Sequence, residues 1–412
     1  MDGEKAKNNI IHGAIVPLIG GFSLAATNVI GKPPEVIFSY KAFEANDKIY
    51  LQYLNQHNIV VPYYQIDNKN ININEITKIY ENKIDFFHGI LPCSGLSQAA
   101  KRKPGSRGSA PPNDWMYKSA EFILNIIKPK IYAFENAPGL YTNAGIEVRK
   151  QLENIGKQFG YAITFYKTNT LKHGIPQFRP RTFAIFYKGE YAPMLNGFNR
   201  IPLHIIEYLK QIPKNASLQN EYVHNEWDIT KFEIYKYLRK LYGENWRKVL
   251  TDYKHHLTTY DYLQRVKLLD DFQEYQKTLP DASEIVTKNI SHIKKNSAEG
   301  RGARINYRVL EVDKDYTYAV IGEMMGKQVH PIEDRLLNIR EHLWLMGMPF
   351  DYEIDNSRDY VKLSQNVPVA TCIDIISEII AIINNKRQLS NKFILMQDNT
   401  KEILIFKTKS LF

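Results

Sequence analysis

Cysteine is scarce in this chain: 412 residues hold two, Cys93 and Cys372. That excludes a disulfide scaffold and a zinc site built from cysteines, and metal binding is not expected. No apolar run is evident that is long enough to span a bilayer. The opening Met1-Asp2-Gly3-Glu4-Lys5 lacks the basic-then-apolar layout of a signal peptide. A cytoplasmic protein without a membrane partner is therefore expected. Internal repeats are absent as well. Acidic residues are in deficit, 44 against 54 Lys and Arg, for a formal net charge of +10. A basic balance favours a polyanionic partner, although many basic proteins bind no nucleic acid. At 44% hydrophobic and 24% charged the composition is that of a globular chain, with length enough for more than one domain.

What is present is chemistry at the ends of apolar runs. Phe86–Leu91 reads as a strand and opens at Pro92-Cys93-Ser94-Gly95 into a small-residue loop. Ile131–Phe134 ends in Glu135-Asn136-Ala137-Pro138-Gly139, which puts a carboxylate at a second strand tip. A third segment reads Gln177-Phe178-Arg179-Pro180-Arg181. Open α/β sheets carry their chemistry at the carboxyl ends of their strands. Cys372 lies in a run that suits a buried helix, Val367–Ile376, and reads as a core residue.

Residues up to about Lys188 alternate short strands with helical patterns, the signature of a mostly parallel sheet covered on both faces. Expected strands include 13–16, 35–40, 85–91, 130–135 and 182–187; expected helices include 46–55 and 117–127, the latter closed by Pro129. Between them, 98–113 carries Lys101, Arg102, Lys103, Arg107 and two glycines. A loop of that length is usually functional or disordered. It reads here as a mobile lid that closes over a substrate beside Cys93. From about Ala192 to Val320 the composition shifts to Tyr, Lys, Asn and His, with helices expected at 231–241 and 246–253. Apolar patterning then returns, with helices expected at 338–346 and 370–384. The division expected is 1–191, an inserted smaller domain at 192–320, and a return to the first domain at 321–412.

In this order, the motifs resemble those of the cytosine carbon-5 DNA methyltransferase family. Pro92-Cys93 resembles its nucleophile motif, with Ser94 where Gln is usual. Glu135-Asn136-Ala137 resembles Glu-Asn-Val, and Gln177-x-Arg179-x-Arg181 fits without departure. Farther on, His330-Pro331, Arg335–Glu341, Gly347-Met348-Pro349 and Gln365-Asn366-Val367-Pro368 resemble the family's C-terminal segments. Pro17–Ala25 resembles the turn that cradles S-adenosylmethionine; Gly20 and Gly21 match, while Leu18 stands at the first glycine and Gln365 at another. For the acid that binds the ribose hydroxyls, a gap-free alignment gives Lys41 and a small shift gives Glu44, which is preferred. Asp67 resembles the aspartate that binds the adenine amino group.

The resemblance implies a Rossmann-like methyltransferase domain with a mixed, mostly parallel sheet and an inserted target-recognition domain. It implies S-adenosylmethionine as cofactor, double-stranded DNA as substrate, a cognate restriction endonuclease as partner, and action as a monomer. Cys93 would add to carbon 6 of cytosine and so make carbon 5 nucleophilic, which is covalent catalysis. Glu135 would supply a proton or hydrogen bond near N3, provided burial raises its pKa. Arg181 would bind the O2 edge, and Arg179 would orient the loop or a phosphate. The base must leave the stack, at a cost of roughly a few kcal/mol. The implied cofactor set is Gly20, Gly21, Phe22, Glu44, Asp67, Pro92 and Asn366. The implied DNA set is Ser94, Ser97, Lys101, Arg102, Gln177, Arg301 and Arg304, with Arg308 nearby.

Each motif alone has a plainer reading: an inert buried cysteine, a helix cap, one face of an edge strand. Order and spacing together favour the family. Three other functions stay open at this point: a tRNA methyltransferase, a DNA-binding partner subunit without catalysis, and use of an unusual S-adenosylmethionine derivative as donor.

Overall fold

The first two hundred residues fold around strands that are buried end to end. Phe86–Ile90 and Ile131–Asn136 have every residue buried, so they read as continuous apolar runs, as strands covered on both faces do. In this computed structural model the described residues are 9–92, 94–97, 111–213, 233–246, 267–278, 308–309, 316–320, 328–333, 335, 337–354 and 359–401. They divide into two compact units, Met1–Leu203 with Leu345–Phe412, and His204–Trp344.

The outer unit is built on one eight-stranded sheet. Its strands are β1 (His12–Ile15), β2 (Ile37–Ser39), β3 (Tyr63–Gln65), β4 (Phe86–Ile90), β5 (Ile131–Asn136), β6 (Tyr161–Asn169), β7 (Pro180–Lys188) and β8 (Ile394–Asp398). The order across the sheet is β8-β6-β7-β5-β4-β1-β2-β3. All neighbours are parallel except β7, which runs antiparallel to β5 and β6. The expected mixed, mostly parallel sheet is therefore present. Its helices are α1 (Gly21–Ile30), α2 (Glu44–Gln56), α3 (Ile73–Tyr80), α4 (Asp114–Phe122), α5 (Ile146–Phe159) and α6 (Val369–Ile383). α4 runs on into one π-helical turn, Ile123–Ile127, and stops at Lys128 in the left-handed conformation just before Pro129. α5 buries Val148, Leu152 and Ile155, one stripe at helical spacing, and ends at Gly160 with φ 78°.

α6 corrects an expectation. With the turn before it, Lys362–Ile383 forms 22 residues that include an 18-residue window of mean hydropathy 1.8, long and apolar enough by composition to cross a bilayer. Yet 72% of that window is buried inside the protein, and α6 packs on α1. Its hydrophobic circumference is that of a core helix. Cys372 lies on it, fully buried, as the sequence pattern suggested.

The inner unit contains helices at Ile205–Leu209, Glu233–Tyr242, Leu269–Lys277 and Ile339–Leu345, and a short parallel pair, Arg308–Val309 with Gln328–Val329. The Tyr237 ring packs in tilted geometry against Phe272 and Tyr275, with centroids 5.2 and 5.3 Å away. The expected helix at 246–253 lies outside the described residues beyond Trp246. Helix Ile339–Leu345 has a reciprocal cap: the Asn338 side chain accepts from Glu341 N at 2.8 Å, and Glu341 Oε2 accepts from Asn338 N at 2.8 Å. Arg335 grips the same carboxylate through two hydrogen bonds, 2.7 and 2.8 Å. The Arg335–Glu341 motif thus has a structural account, a bidentate pair locking a helix start.

Candidate active site

Sheet register brings three of the motifs together. Ile90, near the end of β4, lies beside Glu135 on β5, and Asn136 lies opposite Thr182 on antiparallel β7. The loop after Pro92, the Glu135 carboxylate and Arg181 therefore converge on one edge of the sheet. Cys93 itself lies outside the described residues, as do Lys101, Arg102, Arg301 and Arg304. What surrounds Cys93 is held from both sides. The Asn136 amide donates to Leu91 O at 3.3 Å and to Pro92 O at 3.2 Å. On the other side, Gly139 packs directly under the Leu96 carbonyl: a Cβ there would stand 2.1 Å from that oxygen. Only glycine permits such an approach. Ser94 is exposed and Ser97 half-buried.

Glu135 is 3% exposed and forms an ion pair with Arg181 Nε. Burial pushes its carboxyl above the usual range, while Arg181 and then Arg179 pull it back. The balance is upward, which suits a group that must hold or donate a proton near neutrality. Cys372 lies within electrostatic reach of Glu135; burial, and then that carboxylate, push its thiol well above the ordinary range. A thiol so placed stays protonated and inert.

Arg179 is fully buried and braces another segment: its Nη2 donates to Ser364 O at 2.7 Å and Asn366 O at 2.8 Å. Gln177 needs a correction. It was expected at the DNA, but its side chain is fully buried and its amide donates to Leu345 O at 2.8 Å. The chain turns Gln177 inward because that carbonyl, near the end of a helix, needs a donor.

The second cluster surrounds the β1–α1 turn. Three residues there have positive φ: Val16 at 50°, Leu18 at 52° and Gly20 at 85°. For a residue with a side chain this region costs roughly 1–2 kcal/mol. Partners from other elements hold the turn. Leu18 N donates to Asp47 Oδ1 on α2 at 3.1 Å, Tyr352 Oη donates to Ile19 O at 2.7 Å, and Gly21 N donates to Asn366 Oδ1 at 3.0 Å. A Cβ on Gly21 would stand 2.4 Å from both Asn366 Oδ1 and Val367 O. Asp47 is fully buried, and burial pushes its carboxyl up to about 7, against hydrogen bonds that include Tyr63 and Leu18 N.

The remaining cofactor candidates are placed as follows. Phe22 has its ring in the core, against Phe86, His88 and Phe183, so only its backbone faces the turn. Glu44 pairs with Lys41, and with Lys48 at 3.2 Å; these lysines, Lys41 first, pull its carboxyl down to about 2. The two residues competing for the acid's place, Lys41 and Glu44, are thus partners. Asp67 accepts the Lys41 N–H with both oxygens, 2.9 and 3.2 Å, which ties the tip of β3 to that of β2. Pro92 is half-buried. Tyr40, Ile66, Phe122 and Ile126 line a recess flanked by Lys118 and Glu121.

Asp47 and Tyr352 were missed from the sequence. Asp47 lies on the polar pattern of a surface helix, and its partner is 29 positions away; no local signal marks it. Asn136 belonged to a recognised motif, but its role as an anchor for Leu91 and Pro92 required the fold.

The model of the C-5 cytosine-specific DNA methylases matches residues 17–384. A type II methyltransferase of Bacillus subtilis, M.BsuFI, is 30% identical over 142 residues, 32% of this chain and 34% of the relative. Another from Picosynechococcus, M.AquIA, is 27% identical over 119 residues, 27% of this chain and 46% of its own length. The matched stretches thus span less than half of these relatives. Among solved structures, a methyltransferase of Entamoeba histolytica covers 91% of this chain and 98% of its own, with a TM-score of 0.54 at 13% identity, a likeness of fold. With the family's model matched over residues 17–384, most of the chain, the chain belongs to the C-5 cytosine-specific DNA methylases.

Proposed function

We propose that the protein transfers a methyl group from S-adenosylmethionine to carbon 5 of a cytosine flipped out of a specific duplex DNA sequence. The observation that carries this reading is the meeting of Glu135, Arg181 and the backbone flanking Cys93 at one sheet edge.

The Cys93 thiolate adds to carbon 6, and the ring becomes an enamine whose carbon 5 attacks the methyl group. Glu135, whose carboxyl burial pushes above its usual range, offers a proton or hydrogen bond toward N3 as negative charge develops on the ring. Arg181 stabilises that charge at the O2 edge. Loss of the carbon 5 proton to a base then expels Cys93 and restores the aromatic ring. Asn136 and Gly139 anchor Pro92 and Leu96, the chain on either side of Cys93, and for a reacting group a displacement of about 1 Å costs on the order of 10²-fold.

The cofactor supplies an electrophilic methyl group when bound. The residues fit it in chemistry. The first-turn amides of α1 start at the carboxyl edge and suit a carboxylate. Glu44 suits hydroxyls, and the apolar wall of Tyr40 and Ile66 suits a purine. The inner unit, His204–Trp344, is the part proposed to read the DNA sequence, with Arg301, Arg304 and Arg308 as candidate contacts. Lys101 and Arg102 would meet phosphates, which position the duplex without specifying sequence. A cognate restriction endonuclease and action as a monomer belong to the same proposal.

The test uses duplex DNA of mixed sequence carrying 5-fluorocytosine, whose fluorine blocks the final elimination. A cofactor-dependent covalent complex that disappears in Cys93→Ala is expected. Tight DNA binding without any complex would sink the reading and favour a non-catalytic partner subunit.

A further inference from the structure

Two irregular positions of the cofactor turn each meet a polar side chain from the same helix. Leu18 holds a left-handed backbone that glycine adopts freely, and its N–H is taken by Asp47 Oδ1 at 3.1 Å. Gln365, which precedes the Asn366 that binds Gly21 N, accepts through Oε1 from Asn46 Nδ2 at 2.8 Å. Asn46 and Asp47 are adjacent on α2. One residue earlier, the Ala45 carbonyl accepts from Lys362 Nζ at 2.8 Å. α2 therefore grips both strands of chain that meet at the turn. The Asp47 carboxylate is itself fixed from the far side, where Tyr63 Oη donates to Oδ2 at 3.1 Å.

We propose that Asp47 is a positioning residue of the cofactor turn: by binding the Leu18 N–H it holds Leu18 left-handed and keeps the first turn of α1 oriented for the cofactor. A residue with a side chain leaves the left-handed region unless its surroundings over-determine it. Asp47 supplies that constraint, with Tyr352 on Ile19 O and Asn366 on Gly21 N completing the clamp. The inference rests on the reading of this turn as the S-adenosylmethionine site.

The experiment measures S-adenosylmethionine affinity by calorimetry in wild type, Asp47→Ala, Asp47→Asn, Leu18→Gly and the Leu18→Gly/Asp47→Ala double variant. Asp47→Ala should weaken binding roughly 10- to 100-fold, as expected for losing a hydrogen bond to a charged group. Asp47→Asn keeps an acceptor and should recover most of it. Leu18→Gly should suppress the defect, because glycine holds positive φ without help. A double variant as weak as Asp47→Ala overturns the proposal. Hydrogen exchange of the free protein separates this from failure of the cofactor reading. Peptides covering 17–24 should exchange at least ~10-fold faster in Asp47→Ala than in wild type, and return in Asp47→Asn. Should wild type bind no S-adenosylmethionine, the proposed cofactor fails, while unchanged exchange in Asp47→Ala would overturn the positioning role by itself.

Discussion

The proposed catalytic edge and the proposed cofactor turn sit on neighbouring strands but are stabilised in opposite ways. At the edge, the motif carries its own supports. Asn136 and Gly139 follow Glu135 by one and four positions and hold the loop around Cys93. Arg179 and Gln177, from the same short string as Arg181, brace the segments behind it. At the turn, the supports are borrowed: Asp47 from α2, Tyr352 and Asn366 from more than three hundred positions away. A self-supported site tolerates little change inside its motif. A borrowed one tolerates change within the motif and becomes sensitive elsewhere.

The largest effect should come from Glu135→Gln. It removes the proton-holding group, and turnover should fall roughly 10²–10⁴-fold. The amide still offers an oxygen to Arg181, so the variant should remain folded by circular dichroism. Turnover within a factor of about three of wild type would remove Glu135 from the chemistry.

Acid tests both regions at once. His12 on β1 and His88 on β4, the strands that lead to the turn and the edge, are buried with His12 Nδ1 and His88 Nε2 3.2 Å apart. Burial lowers His12 to about 4 and His88 well below the ordinary range. The unfolded chain binds protons on both near pH 6.5. Stability is therefore complete above about pH 6.5 and is lost as pH falls toward 4. His12 alone, at 1% exposure, accounts for about 3 kcal/mol across that window. Urea midpoints measured from pH 7 to 4.5 should fall steadily. A flat profile would contradict the pair's neutral, buried state.

Asn136→Ala should reduce turnover on the order of 10²-fold by loosening the Cys93 loop, while S-adenosylmethionine affinity stays within about threefold. Equal losses in both would mean that edge and turn are not independent. The smallest effect should be Cys372→Ala, which removes a buried thiol within electrostatic reach of Glu135 but not the proposed nucleophile. A stability loss of roughly 1–2 kcal/mol is expected, with trapping by 5-fluorocytosine intact. Loss of trapping would exchange the roles of the two cysteines.

Legibility followed the same divide. Glu135, Arg179 and Arg181 could be singled out because strand-tip chemistry is local: an apolar run ends and a charged residue follows. The helical apolar run around Cys372 gave its burial correctly. Strand β6 was not anticipated, since Tyr161–Asn169 mixes threonine, lysine and tyrosine. Its polar groups are satisfied by distant partners, Tyr161 Oη by Pro129 O at 2.7 Å and Thr164 Oγ1 by Pro193 O at 2.6 Å. β8, an edge strand of half-buried residues, gave no clear signal either. Gln177 misled because a polar side chain beside two arginines resembles a surface.

The sequence by itself determined the mostly parallel sheet, the order of the motifs and the strand-tip position of Glu135, because hydrophobic runs and the residues that end them are adjacent along the chain. Only the tertiary structure decided which carbonyls Asn136 holds, that Gln177 turns inward, that Lys41 and Glu44 are partners, and that Asp47 secures Leu18. Those are hydrogen bonds and ion pairs set by close approach of elements in space, and a buried polar group must find its partner there, however far apart the two lie in the chain.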